Sequence, residues 1–205
     1  KKISQHAGAI YAVAYCKELD LILTGGADKI VASWNPTTFE NTPFSIKTQS
    51  AIVTLQVINE KYLFIGLFNG HFHIIDIENK KEVKYFTKHK KGIYACTSEY
   101  NSNILIVGSG DGMISIWDIE NFTLLFEQKI GNGKIRAIEC INGKAFIGNS
   151  EGKILIVDLK DFKLMNSIDI NSEGINSICY IASKNAMLVG GKNASLGEMY
   201  RELTP

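Results

Sequence analysis

The sequence predicts an all-β chain built from repeats, on three observations. Short alternating segments recur, among them AIYAVAY, KYLFIGL, HFHIIDI, GMISIWDI and GKILIVDL, each bounded by Gly, Asn, Asp or Ser. Alternation of apolar and polar residues marks a half-buried strand, and the flanking types are turn formers. No segment sustains a period of 3.6, and isoleucines stand at every second position, where a pleated surface suits a β-branched side chain. Finally, Ile10, Ile52, Ile93, Ile135 and Ile175 each open an alternating segment and follow one another by 42, 41, 42 and 40 residues.

Further columns keep the same step. Two residues after each isoleucine lies a small residue (Ala12, Thr54, Ala95, Ala137, Ser177), followed by an apolar one (Val13, Leu55, Cys96, Ile138, Ile178). Period-two geometry puts the two columns on opposite faces of a strand. A marker after the third strand of each unit, Asn35, Asp76, Asp118 and Asp158, is spaced 41, 42 and 40 residues apart. A period near 41 with four short strands per unit predicts a β-propeller of four-stranded antiparallel blades, each burying its faces against its neighbours. One domain, 1–205, is expected, with repeats at approximately 1–42, 43–80, 81–121, 122–162 and 163–205.

Taken in order, the first repeat carries GGADKIVASWN (25–35) after His6, and the third carries GSGDGMISIWD (108–118) after His89. On these motifs the chain resembles the WD-repeat family. The second, fourth and fifth repeats, with FNGHFHIIDI, SEGKILIVDL and KNASLGEMY, keep the length and pattern but lack the tryptophan. The resemblance implies a hydrogen-bonded network of His, Ser or Thr, Asp and Trp in each full repeat, here His6, Thr24, Asp28 and Trp34. In the third repeat it implies His89, Asp111 and Trp117, with Val107 where the hydroxyl would be. That network is expected to be incomplete and its blade to lean on apolar packing.

His6, Asp28 and Thr24 match a catalytic triad by residue type, but the His and Asp recur at the same phase in a second unit, which argues for scaffolding. No catalytic residues, metal or cofactor are expected, and the chain is read as not an enzyme. His71 and His73 face one side of a strand with no third ligand at suitable spacing, and are expected to be surface histidines or turn contacts. VGSGDG and LTGGAD precede no helix, so they read as tight turns rather than phosphate loops. The four cysteines form no CxxC pair and are expected to be reduced, buried thiols.

Twenty-two basic against 21 acidic residues give a net charge of +1, with no general attraction to nucleic acid or anionic lipid. The basic segment KYFTKHKKG (84–92) is read as a solvated outer strand and loop. No apolar run approaches a membrane span, and KKISQHAG lacks the apolar stretch of a signal peptide, so a cytoplasmic protein is expected. The chain begins without Met, which leaves upstream sequence open.

Proteins of the resembled family recruit other proteins through the face where the first strands begin, around a central channel. The slots at that phase are Tyr11, Val53, Tyr94, Arg136 and Asn176, which vary from blade to blade. A second ring holds Ala27, Phe68, Gly110, Ser150 and Lys192. Tyr11, Phe68, Tyr94 and Arg136, with Asn176, are therefore the expected partner site, since aromatic and Arg side chains dominate interface energetics. The expected function is a non-catalytic scaffold for proteins or peptides. A small-ligand or enzymatic propeller using the channel, or a purely structural module, remains as alternative. KKISQ matches an outer strand and LGEMY a third strand, so the ends could share one blade of a closed five-bladed ring. The family more often closes with seven, so the alternative is that the five repeats are part of a larger seven-bladed-type propeller; a ring not closed within the chain could pair its edges as a homo-oligomer.

Overall fold

A computed structural model of the chain describes residues 6–99, 103–170 and 174–191 in full, and 198–201 as backbone. Among the described residues the chain runs almost entirely as strand, interrupted by one 3-10 turn at Ala182–Lys184. It divides into two compact units, 1–94 and 95–205. No described helix is long and apolar enough to cross a membrane.

The first unit holds two blades. One comprises β1 (Ile10–Cys16), β2 (Leu21–Gly26), β3 (Ile30–Trp34) and β4 (Asn41–Lys47); the next comprises β5 (Ile52–Ile58), β6 (Tyr62–Leu67), β7 (Phe72–Asp76) and β8 (Lys81–Phe86). The third blade opens with β9 (Ile93–Ser98), in which the unit boundary falls, and continues through β10 (Ile104–Ser109), β11 (Met113–Asp118) and β12 (Thr123–Lys129). The second unit goes on with β13 (Ile135–Ile141), β14 (Lys144–Asn149), β15 (Lys153–Asp158) and β16 (Leu164–Asp169), then β17 (Ile175–Ile181), β18 (Ala186–Gly191) and β19 (Glu198–Arg201). Each sheet is an antiparallel meander with its strands in chain order, four-stranded except the last, which has three described strands. Residues 1–5, expected to supply an outer strand, lie outside the described residues, as does Lys192.

Local chemistry sets the meander. Between second and third strands the chain turns through a left-handed residue in each of four blades: Lys29 (φ 66°), Gly70 (89°), Gly112 (79°) and Gly152 (77°). The acid or amide after the third strand caps the next turn with its side-chain oxygen. Asn35 accepts the backbone N–H of Thr37 and Thr38 (both 2.9 Å), Asp76 that of Asn79 (2.9 Å), Asp118 that of Asn121 (2.8 Å) and Asp158 that of Lys160 (2.7 Å). This is an Asx-type turn, so the column read from the sequence has a physical cause.

Blade meets blade through one repeated joint. A Cβ on Gly25, Gly66, Gly108 or Gly148 would lie within 3.0 Å of the Cγ2 of Ile52, Ile93, Ile135 or Ile175 respectively, and those four isoleucines are wholly buried. Each of these four isoleucines thus seats on a glycine of the preceding blade's second strand. The glycines of LTGGAD therefore differ from the expected turn role: Gly25 serves packing and Gly26 lies close against the Ala9 carbonyl. Around the joints, Leu23, Leu55, Leu63 and Ile65 form the core of the first unit, and Ile106, Ile138, Ile147 and Val157 part of that of the second. Hairpin tips add ties: Glu60 accepts the Lys17 N–H (2.7 Å) and Glu99 the Gly143 N–H (2.8 Å).

Two expectations are corrected here. The cysteines are free, but only Cys16 is fully buried and Cys179 is exposed. Around it on β17, Asn176 and Ser177 are exposed and Ile178 and Tyr180 half-buried. His73 is no surface residue: it is 5% exposed, under the Tyr85 ring (centroids 4.6 Å apart), with Nδ1 2.6 Å from Glu82 Oε2. His71 Nδ1 lies 2.6 Å from the Tyr85 hydroxyl.

Candidate protein-binding site

The variable slots coincide with an irregularity of the ladder. In β1, β5, β13 and β17 the register shifts just after the opening isoleucine, so Tyr11, Val53, Arg136 and Asn176 are the extra, unpaired residues of β-bulges. A bulge frees one residue from the ladder and re-aims its side chain. The opening isoleucines of β5, β13 and β17 stay buried while the next residue turns outward; Tyr11 is 56% exposed. Phe68 comes from the β6–β7 turn and is 58% exposed. Its N–H donates to the Ala51 carbonyl (2.9 Å), which holds the turn beside the start of β5. Gly92 is the spacer under Tyr94, since a Cβ there would meet both the Tyr94 ring and the Phe68 carbonyl at 3.1 Å.

Within the first unit these elements enclose a cavity of about 410 Å³ lined by Tyr11, Ala51, Val53, Phe68 and Tyr94. The lining is apolar apart from the tyrosine hydroxyls and carries no charged side chain. Its volume lies in the range of small-ligand and side-chain pockets, roughly 300–1,000 Å³. In the second unit, Arg136 Nη1 donates to Asn176 Oδ1 at 2.6 Å, which links two adjacent first strands. The structure thus groups Tyr11, Phe68 and Tyr94 within the first unit and joins Arg136 to Asn176 within the second. Sequence reading did not assign Ala51 or Val53 to the site. Val53 was legible from its column with Tyr11 and Tyr94, whereas Ala51 carries no such signal.

The polar residues of the first blade form a chain. Trp34 Nε1–H donates to Thr24 Oγ1 (2.8 Å), Thr24 Oγ1 lies 2.8 Å from His6 Nε2, and His6 Nδ1 lies 2.8 Å from Asp28 Oδ2. A carboxylate only accepts, so Nδ1 carries the proton, Nε2 accepts from the Thr24 hydroxyl, and every member is satisfied. The His6 and Asp28 side chains are 4% and 7% exposed. Burial acts to raise the Asp28 carboxyl, but hydrogen bonds from His6 and the Ile30 and Ala7 N–H groups outweigh it and hold it below the usual range. This closed arrangement presents no nucleophile to solvent.

In the third blade the tryptophan finds a hydroxyl although Val107 supplies none. Trp117 Nε1–H donates to Ser115 Oγ at 2.8 Å, so a serine two residues back on the same strand replaces the hydroxyl missing at Val107. Asp111 accepts the Met113 N–H at 3.1 Å, and His89 is 6% exposed. Among the described residues, no group of three His, Cys, Asp or Glu could hold a metal ion.

Antiparallel meanders of this length, stacked through a repeating isoleucine-on-glycine joint, define a repeat protein of propeller blades. The family described as WD domain, G-beta repeat matches residues 1–35 and 80–118, the two segments that contain the His-to-Trp motifs. The chain is similar to WD repeat and FYVE domain-containing protein 2 of Caenorhabditis elegans, 26% identical over 78% of this chain and 39% of that protein. It is 31% identical to Shk1 kinase-binding protein 15 of Schizosaccharomyces pombe over 54% of this chain and 30% of that protein. To eukaryotic translation initiation factor 3 subunit I of Kluyveromyces lactis it is 22% identical over 92% of this chain and 60% of that protein. The chain spans about two fifths of the Caenorhabditis relative. It is a β-propeller repeat protein in which two repeats match the WD-domain model, and it is similar to proteins named for their WD repeats.

Proposed function

We propose that this chain is a non-catalytic scaffold whose cavity between Tyr11, Val53, Phe68 and Tyr94 seats an apolar side chain of a protein or peptide partner. The observation that carries this reading is the convergence of three aromatic rings, two of them more than half exposed, on one uncharged cavity. Such rings bury a large area at small entropic cost, and they are the residue types of interface anchors. Arg136, steadied by Asn176, is a second and polar contact point in this proposal. The names of two relatives, a kinase-binding protein and a translation factor subunit, describe association with other proteins and support the reading. A net charge of +1 supports a partner other than nucleic acid or anionic lipid.

Selection of peptides from a random phage library against the purified chain, followed by anisotropy titration, tests it. Selected peptides are expected to share an apolar anchor, and Phe68→Ser or Tyr94→Ala to weaken them at least about tenfold, roughly 1.4 kcal/mol. Arg136→Ala is expected to weaken those that carry an acid. Peptides that bind the Phe68→Ser/Tyr94→Ala double variant as tightly as the parent would refute the site.

A further inference from the structure

An asparagine followed by glycine is prone to lose its side-chain amide, because no Cβ on the second residue hinders that residue's backbone nitrogen from reaching the asparagine Cγ. The chain holds three such pairs, Asn69–Gly70, Asn132–Gly133 and Asn142–Gly143. The fold treats them differently. Gly143 N–H donates to the Glu99 carboxylate at 2.8 Å, and Asn142 and Gly143, at φ 49° and 73°, form the two-residue turn between β13 and β14. The Gly143 carbonyl in turn accepts the Leu159 N–H at 2.8 Å. Gly70 N–H donates to the Leu67 carbonyl at 3.1 Å. Asn69 Oδ1 accepts the His71 N–H at 3.2 Å, and its Nδ2 lies 3.2 Å from His71 Nδ1. In both pairs the nitrogen that would attack is held by an acceptor that opposes loss of its proton.

The third pair has no such restraint. Asn132 is exposed in the loop between β12 and β13, with a glycine on either side. Among the described residues, neither its amide nor the Gly133 N–H has a hydrogen-bond partner. The loop is tied at its two ends: Ile130 N–H donates to the Gly112 carbonyl (3.0 Å), Lys134 N–H to Ser150 Oγ (2.8 Å), and Ser150 N–H to the Lys134 carbonyl (2.9 Å). We propose that Asn132 is a self-modification site, at which the folded chain turns an amide into a carboxylate faster than at either of the other two pairs. The Gly133 nitrogen gives up its proton and bonds to Asn132 Cγ; the Cγ–Nδ2 bond breaks, and Nδ2 leaves as ammonia after taking up a proton. Water then opens the succinimide at Cγ, giving aspartate, or at the main-chain carbonyl carbon, giving isoaspartate, and nothing is oxidised or reduced. The product carries a new negative charge in the loop that packs on Glu151, whose Cγ a Cβ on Gly133 would meet at 2.9 Å. Isoaspartate also adds one backbone carbon between the two tied ends. The loop shares no residue with the aromatic cavity.

Ageing the purified chain at mildly alkaline pH, then digesting it and separating aspartyl from isoaspartyl peptides by chromatography with mass spectrometry, tests the site. Asn132 is expected to convert at least about fivefold faster than Asn69 or Asn142, the rate equivalent of roughly 1 kcal/mol for one hydrogen bond broken. In urea, where the fold no longer distinguishes them, the three rates should draw together. Asn132→Gln should remove the early product and, because the side chain is exposed, leave circular dichroism unchanged. Glu99→Ala releases the Gly143 N–H and should speed conversion of Asn142 several-fold while leaving Asn132 as it was. Native rates at Asn69 or Asn142 that match that of Asn132 would overturn the proposal, as would an unchanged ranking in urea or a folded Glu99→Ala chain that converts Asn142 no faster.

Discussion

Gly148 lets Ile175 close directly onto the blade before it: a Cβ at position 148 would lie within 3.0 Å of both the Cγ2 and the Cβ of Ile175, which is wholly buried. The intruding methyl would press on the branched carbon of a side chain fixed by its strand, so little relief is available. Gly148→Ala is therefore expected to destabilise the second unit by about 1–3 kcal/mol, the usual cost of overpacking. Urea denaturation monitored by circular dichroism would show the midpoint fall. An unchanged midpoint would mean that blade spacing is softer than the joint implies.

Thr24 occupies the centre of the first-blade chain, accepting from Trp34 and donating to His6. Thr24→Val keeps the shape and removes both bonds, leaving the indole N–H and a histidine nitrogen buried without partners. The expected loss is about 1–3 kcal/mol. Trp34→Phe, which deletes the donor along with its need, should cost less of the network while still losing volume. Thermal melts of the two variants, with Trp117 fluorescence as an internal probe, separate these effects.

Lys29 stands at φ 66°, where the equivalent turns use Gly70, Gly112 and Gly152. A non-glycine residue in the left-handed region carries a backbone cost of roughly 1–2 kcal/mol that glycine avoids. Lys29→Gly is thus expected to raise stability by about 0.5–1 kcal/mol, after allowing for the extra freedom of glycine in the unfolded chain. A loss of stability on chemical denaturation would show that the lysine side chain contributes something the turn geometry does not reveal.

Burial pushes the Glu139 carboxyl above its ordinary range. A carboxyl whose folded pKa exceeds its unfolded value holds its proton more tightly in the native state. Its contribution therefore favours folding at low pH and is lost as pH rises through the folded pKa. Glu139→Gln should remove that loss, giving a variant more stable than the parent at pH 7. The difference should shrink below about pH 4, where both states of the parent are protonated. Denaturation midpoints across pH 3.5 to 8 would read this directly, and a gap that widens on acidification would reverse the assignment.

The repeat was legible because each of its marks has a local cause. The opening isoleucines, the small residues two positions on and the turn acids recur since every blade solves the same packing and capping problem. Asn35, Asp76, Asp118 and Asp158 each satisfy backbone donors within three residues, and such short-range chemistry is written in the chain itself. The glycine column at 25, 66, 108, 148 and 190 was equally visible, but its meaning was not. Nothing in the sequence says which isoleucine, some 27 residues further on, comes to rest over each glycine.

What the sequence by itself determined was thus the all-β class and the period, while the members of the polar chain from His6 to Trp34 came from the family resemblance its motifs carry. Only the tertiary structure decided that Ser115 replaces the hydroxyl missing at Val107, that His73 is buried beneath Tyr85, and that Phe68 meets Tyr11 and Tyr94 across one cavity. The physical reason is range. Alternation and turn capping act between near neighbours, whereas a bulge that turns Tyr11 outward and a turn that sets Phe68 beside it depend on how strands pair and blades stack.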